Sequence, residues 1–219
     1  LIACRTTIAY GAPTKAGTSG SHGAPLGDDE IAGTREAIGW PHGPFEVPDD
    51  IVVAWREAGA KGAGDREAWD ARLAGLDNAV RDEFNRVMSG ALPVGWENAI
   101  QEIKAEFVAD APGQATRVSS GAVLEKLIGA VPELMGGSAD LTGSVNTRTS
   151  NMSSISREDF SGRYIHYGIR EHGMAAAMNG MAQHGGIIPY SGTFLVFADY
   201  MRPALRLSAL MQQRVIQVL

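Results

Sequence analysis

Apolar positions change their spacing several times along the chain, and each change predicts an element. Residues 1 to 9 open with Leu-Ile-Ala-Cys, a continuous apolar run that predicts a strand. Gly11 to Gly27 then breaks into Gly, Pro and Ser and predicts a long irregular loop. Loops of that length inside a compact domain are functional or disordered. Asp28 to Gly39 places acids first and a Gly after its last apolar position, which suits a short helix. From residue 50 to 110, Ile51, Val52, Trp55, Trp69, Leu73, Leu76, Ala79, Val80, Phe84 and Val87 recur among charges at helical spacing. This predicts a helical linker whose charges form a solvated face.

Beyond Thr116 the pattern alternates. A helix is expected over Val118–Leu127, a short strand over Val131–Met135, a polar loop, and a strand over Tyr164–Tyr167. A helix over Glu171–Gln183, a strand over Gly186–Tyr190, a mainly helical run from Thr193 to Gln213 and a strand over Val215–Leu219 complete the series. Strands alternating with helices of this length predict an α/β fold with right-handed crossovers and a parallel sheet. Ligands of such sheets bind beyond the carboxyl ends of the strands, and Asp140, Glu171 and Phe194 all follow predicted strand ends.

Composition narrows the function little. The chain has 219 residues and a formal net charge of −6, which disfavours nucleic acid as a partner. No apolar run reaches the length of a bilayer span, so no membrane partner is expected and the location expected is cytoplasmic. The single cysteine, Cys4, lies in the first apolar run and is expected to be a buried structural thiol. Both ends of the chain lie in apolar, β-branched runs that read as buried strands, so a piece of a longer protein is expected.

The segment Tyr164-Ile-His-Tyr-Gly-Ile-Arg-Glu-His-Gly-Met174 carries the most chemistry, because it ends a strand with a carboxylate, Glu171, at the mouth of a helix. An isolated acid there is ordinarily a partner of the helix dipole. This segment resembles the cofactor-activating motif of transketolases, thiamine-diphosphate enzymes that move two-carbon ketol units between sugar phosphates. Three more segments resemble that family in the same order: Gly11-Ala-Pro-Thr-Lys-Ala-Gly-Thr with Ser21-His-Gly-Ala-Pro-Leu-Gly27, Gly136-Gly-Ser-Ala-Asp-Leu141, and Pro189-Tyr-Ser-Gly-Thr-Phe194. The resemblance implies a parallel-sheet thiamine-diphosphate-binding fold, with parts of two domains joined by a helical linker. Residues 1–92 would end the diphosphate-binding domain and begin the linker, 93–114 would continue the linker, and 115–219 would begin the pyrimidine-binding domain.

The resemblance also implies roles. Glu171 would hydrogen-bond the pyrimidine ring nitrogen of the cofactor and favour its imino tautomer. Phe197 would stack on the aminopyrimidine, with Phe194 and Tyr200 beside it, although their spacing of three alone describes a core stripe. His22 would reach the diphosphate and the reacting end of the substrate, while Ser19 stands where many family members carry a further His. Arg117 and Ser144 would grip the terminal phosphate of the sugar, and Asp140 would be a structural contact on the cofactor side. Mg²⁺ is implied as a second cofactor, held by a Gly-Asp-Gly to Asn motif that does not occur in these residues, so no metal ligand is assigned. His166 and His172 do not have the spacing of a helical metal pair, and His184 reads as a helix C-terminal residue. Sugar phosphates and a second copy of the chain, with sites between subunits of a homodimer, are the implied partners. The phosphate grip favours transketolase over dihydroxyacetone synthase, the motif order disfavours deoxyxylulose-phosphate synthase, and Glu171 argues against an inactive partner subunit.

Overall fold

The computed structural model describes residues 2–219. Contacts divide the chain into two compact units, one ending at Arg72 and the other Leu73–Leu219. In the first, the described residues of the opening run form no strand and Cys4 is exposed, contrary to both expectations. A strand exists only through its pairing, and no described segment hydrogen-bonds to this run as a neighbouring strand. One carboxylate ties the start of the following loop to the helix after it. Glu30 accepts from the backbone N–H groups of Thr14 and Lys15 at 3.2 and 3.3 Å and from the Thr14 hydroxyl. The Thr14 hydroxyl is the main reason that this carboxyl is held below its ordinary range.

Glu30 lies in α1 (Asp28–Ala37), which ends as expected at a left-handed Gly39. Helices α2 (Asp49–Ala60) and α3 (Ala63–Ala74) follow, then α4 (Asn78–Ser89) and α5 (Glu97–Asp110) in the second unit. The linker is helical, but its apolar positions are not gathered into a core: Trp55 is 76% and Val80 54% exposed. Helical spacing shows which residues share a face and leaves open whether anything covers it.

The second unit is built on four parallel strands, β1 (Leu134–Ser138), β2 (Tyr164–His166), β3 (Ile188–Gly192) and β4 (Ile216–Val218), in the order β2-β1-β3-β4. Gly136 pairs with Tyr164, Leu134 with Ile188, and Tyr190 with Ile216. The strand expected to be buried at the end of the chain is β4, a half-exposed edge with Ile216 43% accessible. Helix α6 (Thr116–Ala130) precedes β1, α7 (Thr142–Val145) follows it, α8 (Glu171–His184) joins β2 to β3, and α9 (Ala198–Leu210) joins β3 to β4. Leu124, Ile128, Val131, Leu134, Tyr164, Ile188 and Tyr190 form one buried cluster. Met174, Ala175, Met178, Met201 and Ala204 form a second, which joins α8 to α9.

Helix α4 is tied to the sheet at two points. The Arg86 guanidinium pairs with Glu133 just before β1, and Arg214 Nη1 donates to the Gly90 carbonyl at 2.8 Å. Gly136 has to be a glycine, because a Cβ there would lie 2.4 Å from the Tyr190 ring. Among the described residues, no helix is long and apolar enough to cross a membrane.

Candidate active site

Strand order 2-1-3-4 places a topological switch between β1 and β3, and the crevice beyond their carboxyl ends is where such sheets bind ligands. Chain leaving β1 turns sharply through Ala139 and Asp140. The Ser138 hydroxyl accepts from the Leu141 N–H at 2.8 Å, and Asp140 takes a left-handed φ of 64° that non-glycine residues seldom adopt. Chain leaving β2 delivers Glu171 to the first position of α8, and chain leaving β3 delivers Thr193 and Phe194. Three strand ends thus converge on one edge.

Glu171 is only 2% exposed. Its Oε1 accepts from the Thr193 hydroxyl at 2.9 Å, and its Oε2 accepts from the Tyr200 hydroxyl. The backbone N–H of Glu171, one of the orphan donors of a helix start, donates to the same Tyr200 oxygen at 2.7 Å. The bond to Glu171 is the main reason that the Tyr200 phenol is raised above its ordinary value, so it stays a neutral donor. Tyr200 reaches α8 because α9 is locked to it. Asn179 donates to the Ala204 carbonyl at 3.0 Å and accepts from Ser208 at 2.5 Å, beside the methionine cluster.

Asp140, Ile169, Glu171 and Phe197 line a cleft of about 160 Å³. Phe194 and Phe197 stack with ring centroids 6.1 Å apart, and Phe194, Phe197 and Tyr200 remain 44, 38 and 49% exposed. They form no core stripe. A larger cleft of about 550 Å³ adjoins Thr193 and contains both phosphate-grip candidates, Arg117 and Ser144, with Thr116, Ser120, Phe194 and Gln217. Arg117 is the second residue of α6, so the cleft also faces a helix N-terminus, which favours anions. Ser144 is carried by α7, and the chain on both sides of it is pinned: Tyr164 bonds the hydroxyls of Thr142 and Thr147 at 2.9 and 2.8 Å, and Tyr190 donates to the Thr147 carbonyl at 2.7 Å.

The structure therefore brings Glu171, Asp140 and Phe197 together at one cleft, with Tyr200 bonded to Glu171, and Arg117, Ser144 and Phe194 together at its neighbour. His22 belongs to the first unit, where it is exposed and follows a short 3₁₀ turn, its N–H on the Ser19 carbonyl at 3.1 Å. His166 bonds the Ser154 hydroxyl, His172 is exposed, and His184 is the last residue of α8. Among the described residues, no three His, Cys, Asp or Glu side chains gather as a metal site would require. Thr193 is the functional candidate that sequence reasoning passed over. Its signal was its place directly after β3, within Pro189-Tyr-Ser-Gly-Thr-Phe194.

A parallel sheet with a buried, doubly hydrogen-bonded carboxylate and stacked aromatics at its carboxyl edge makes this an α/β domain with a polar and aromatic cleft at its strand ends. Residues 113–219 match the family model described as transketolase, pyrimidine binding domain, and residues 1–93 match transketolase, thiamine diphosphate binding domain. The chain belongs to the transketolase family.

It is 53% identical over 212 residues to a transketolase of Cereibacter sphaeroides, covering 96% of this chain and 32% of that protein. It is 52% identical over 221 residues to a transketolase of Sinorhizobium medicae, covering all of this chain and 31% of that protein. Among solved structures, transketolase from Leishmania mexicana matches with a TM-score of 0.79 and 40% identity, covering 97% of this chain and 31% of that one. A transketolase from Pichia stipitis in complex with sedoheptulose-7-phosphate matches with a TM-score of 0.79 and 36% identity, covering 97% and 32%. The chain thus spans about a third of the length of these relatives.

Proposed function

We propose that this chain is part of a transketolase that transfers a two-carbon ketol unit from a ketose phosphate to an aldose phosphate, as in the pentose phosphate and Calvin routes. The observation that carries the reading is Glu171, a carboxylate withdrawn from water at the carboxyl edge of the sheet and hydrogen-bonded by two hydroxyl groups. Thiamine diphosphate, when bound, supplies a carbon acid that becomes the nucleophile. The donor set fits that cofactor. A carboxylate beside an exposed aromatic ring can hydrogen-bond and stack on an aminopyrimidine, and Glu171 and Phe197 line the same cleft. Glu171, Phe197 and Phe194 would hold the ring, with Asp140 at the rim.

Glu171 holds a proton relay at a ring nitrogen. Thr193 and Tyr200 each take one acceptor site, on different oxygens, and leave one site on each oxygen for a ligand. Arg117 and Ser144 bind the terminal phosphate of the sugar, a pairing consistent with the charge preference of the α6 N-terminus. His22 donates to the diphosphate or to a substrate hydroxyl from the diphosphate-binding part, and in a homodimer with sites between subunits it serves the Glu171 of the other chain. Mg²⁺ would be held at the diphosphate by residues outside these 219, and no residue of this chain is assigned to it.

The test is Glu171→Gln in the full-length protein, with thiazolium proton exchange followed by NMR. Because the substitution keeps shape and removes only the acid, the fold stays intact and turnover falls by about 10²–10⁴. Exchange at the parent rate would refute the assignment.

A further inference from the structure

Thr193 stands at a junction that the proposed chemistry leaves unexplained. It is fully buried, its hydroxyl lies 2.9 Å from Glu171 Oε1, and its backbone N–H donates to the Val218 carbonyl of β4 at 3.1 Å. The residue also walls the cleft that holds Arg117 and Ser144, together with Gln217 and Val218 of the strand that anchors it. A buried hydroxyl with this geometry has one function beyond filling space. The Thr193 hydroxyl fills one acceptor site on Glu171 Oε1 and so limits turning about the last torsion of that side chain, from a backbone position held by the sheet edge. Tyr200 supplies the opposite restraint, but from the half-exposed first turn of α9. Of the two donors, Thr193 is the rigid one.

We propose that Thr193 is a positioning residue that sets the orientation of the Glu171 carboxyl. The proposal rests on the role assigned to Glu171 above. A Val at 193 has nearly the same shape and no donor, so it frees Oε1 to turn while leaving the packing in place. A Ser restores the donor without the methyl group.

The experiment compares Thr193→Val, Thr193→Ser and Glu171→Gln in the full-length protein with two readouts. The first is infrared difference spectroscopy of the cofactor-free protein, in which the carboxylate band of Glu171 is identified by its loss in Glu171→Gln. The band shifts in the Val variant and returns in the Ser variant. The second is steady-state kinetics: kcat falls about tenfold in the Val variant, the cost of one hydrogen bond to a charged group, while KM for either sugar phosphate changes by less than about twofold. Ser recovers most of the loss. If the Val variant does not fold, Thr193→Ala gives the same comparison with Ser. An unmoved band, or a Ser variant no better than Val, overturns the proposal. Parent-like activity in Glu171→Gln instead overturns the role of Glu171, and the infrared band still reports the Thr193 contact by itself.

Discussion

Replacing Arg117 by Ala separates phosphate recognition from everything else at the site. The guanidinium lines the 550 Å³ cleft from the second position of α6, and Thr116, Ser120 and Ser144 line the same space. Truncation removes a charge-assisted bond to a phosphate oxygen, worth about 1.5–3 kcal/mol. Arg117 is exposed, so solvent screening places the loss near the lower end, about 1.5–2 kcal/mol. That is a rise of about ten- to thirtyfold in KM. The first-turn amides of α6 survive the substitution and contribute about 0.3–1 kcal/mol with an anion, too little to mask the effect. Arg117→Lys keeps the charge but loses the planar fork and falls between the two. The assay is steady-state kinetics with an aldose phosphate and with the same aldose lacking phosphate. The phosphorylated acceptor loses affinity and the other does not, and the loss shrinks as ionic strength rises. An equal loss for both acceptors would show that Arg117 supports the fold and would refute the phosphate grip.

Two further outcomes follow from the hydrogen bonds beneath and beside the site. Tyr164→Phe removes the buried hydroxyl shared by Thr142 and Thr147 and leaves them unpaired, which costs about 1–3 kcal/mol in urea unfolding; a loss below about 0.5 kcal/mol would refute this account of the Ser144 segment. The Tyr200 phenol is raised by its bond to Glu171, so the contact contributes fully below the ordinary tyrosine value near 10 and is lost as pH climbs through the raised one. Phenolate absorbance, taken as the difference from Tyr200→Phe, checks this, and ionisation of Tyr200 below pH of about 10 would contradict it.

Much of the second unit was legible from residue spacing. The alternation of helical and strand-like segments located α6, β2, α8, β3, α9 and β4 within about five residues, because most of these elements bury one face or stripe of their own sequence and β3 is a short run buried throughout. The opening segment misled for the complementary reason. An apolar run shows a capacity to be buried, and the described part of Leu-Ile-Ala-Cys lies open because burial needs a neighbouring strand that no described residue provides. Spacing by itself is equally silent for Phe194, Phe197 and Tyr200, which the family resemblance instead places at the cofactor. Their spacing suits a core, yet all three are 38–49% exposed.

The sequence alone determined the α/β alternation, the place of Glu171 at a strand-to-helix turn, and the family, since all of these are local in the chain. Only the tertiary structure decided that Thr193 and Tyr200, 22 and 29 residues away, are the donors on its two oxygens. It also decided that Arg117 and Ser144 share one cleft, and that Asp140 stands beside Phe197 rather than beside Arg117. These pairings depend on strand order and on the locking of α9 to α8. Both are set by burial of side chains distant in sequence, and no local pattern encodes such a sum.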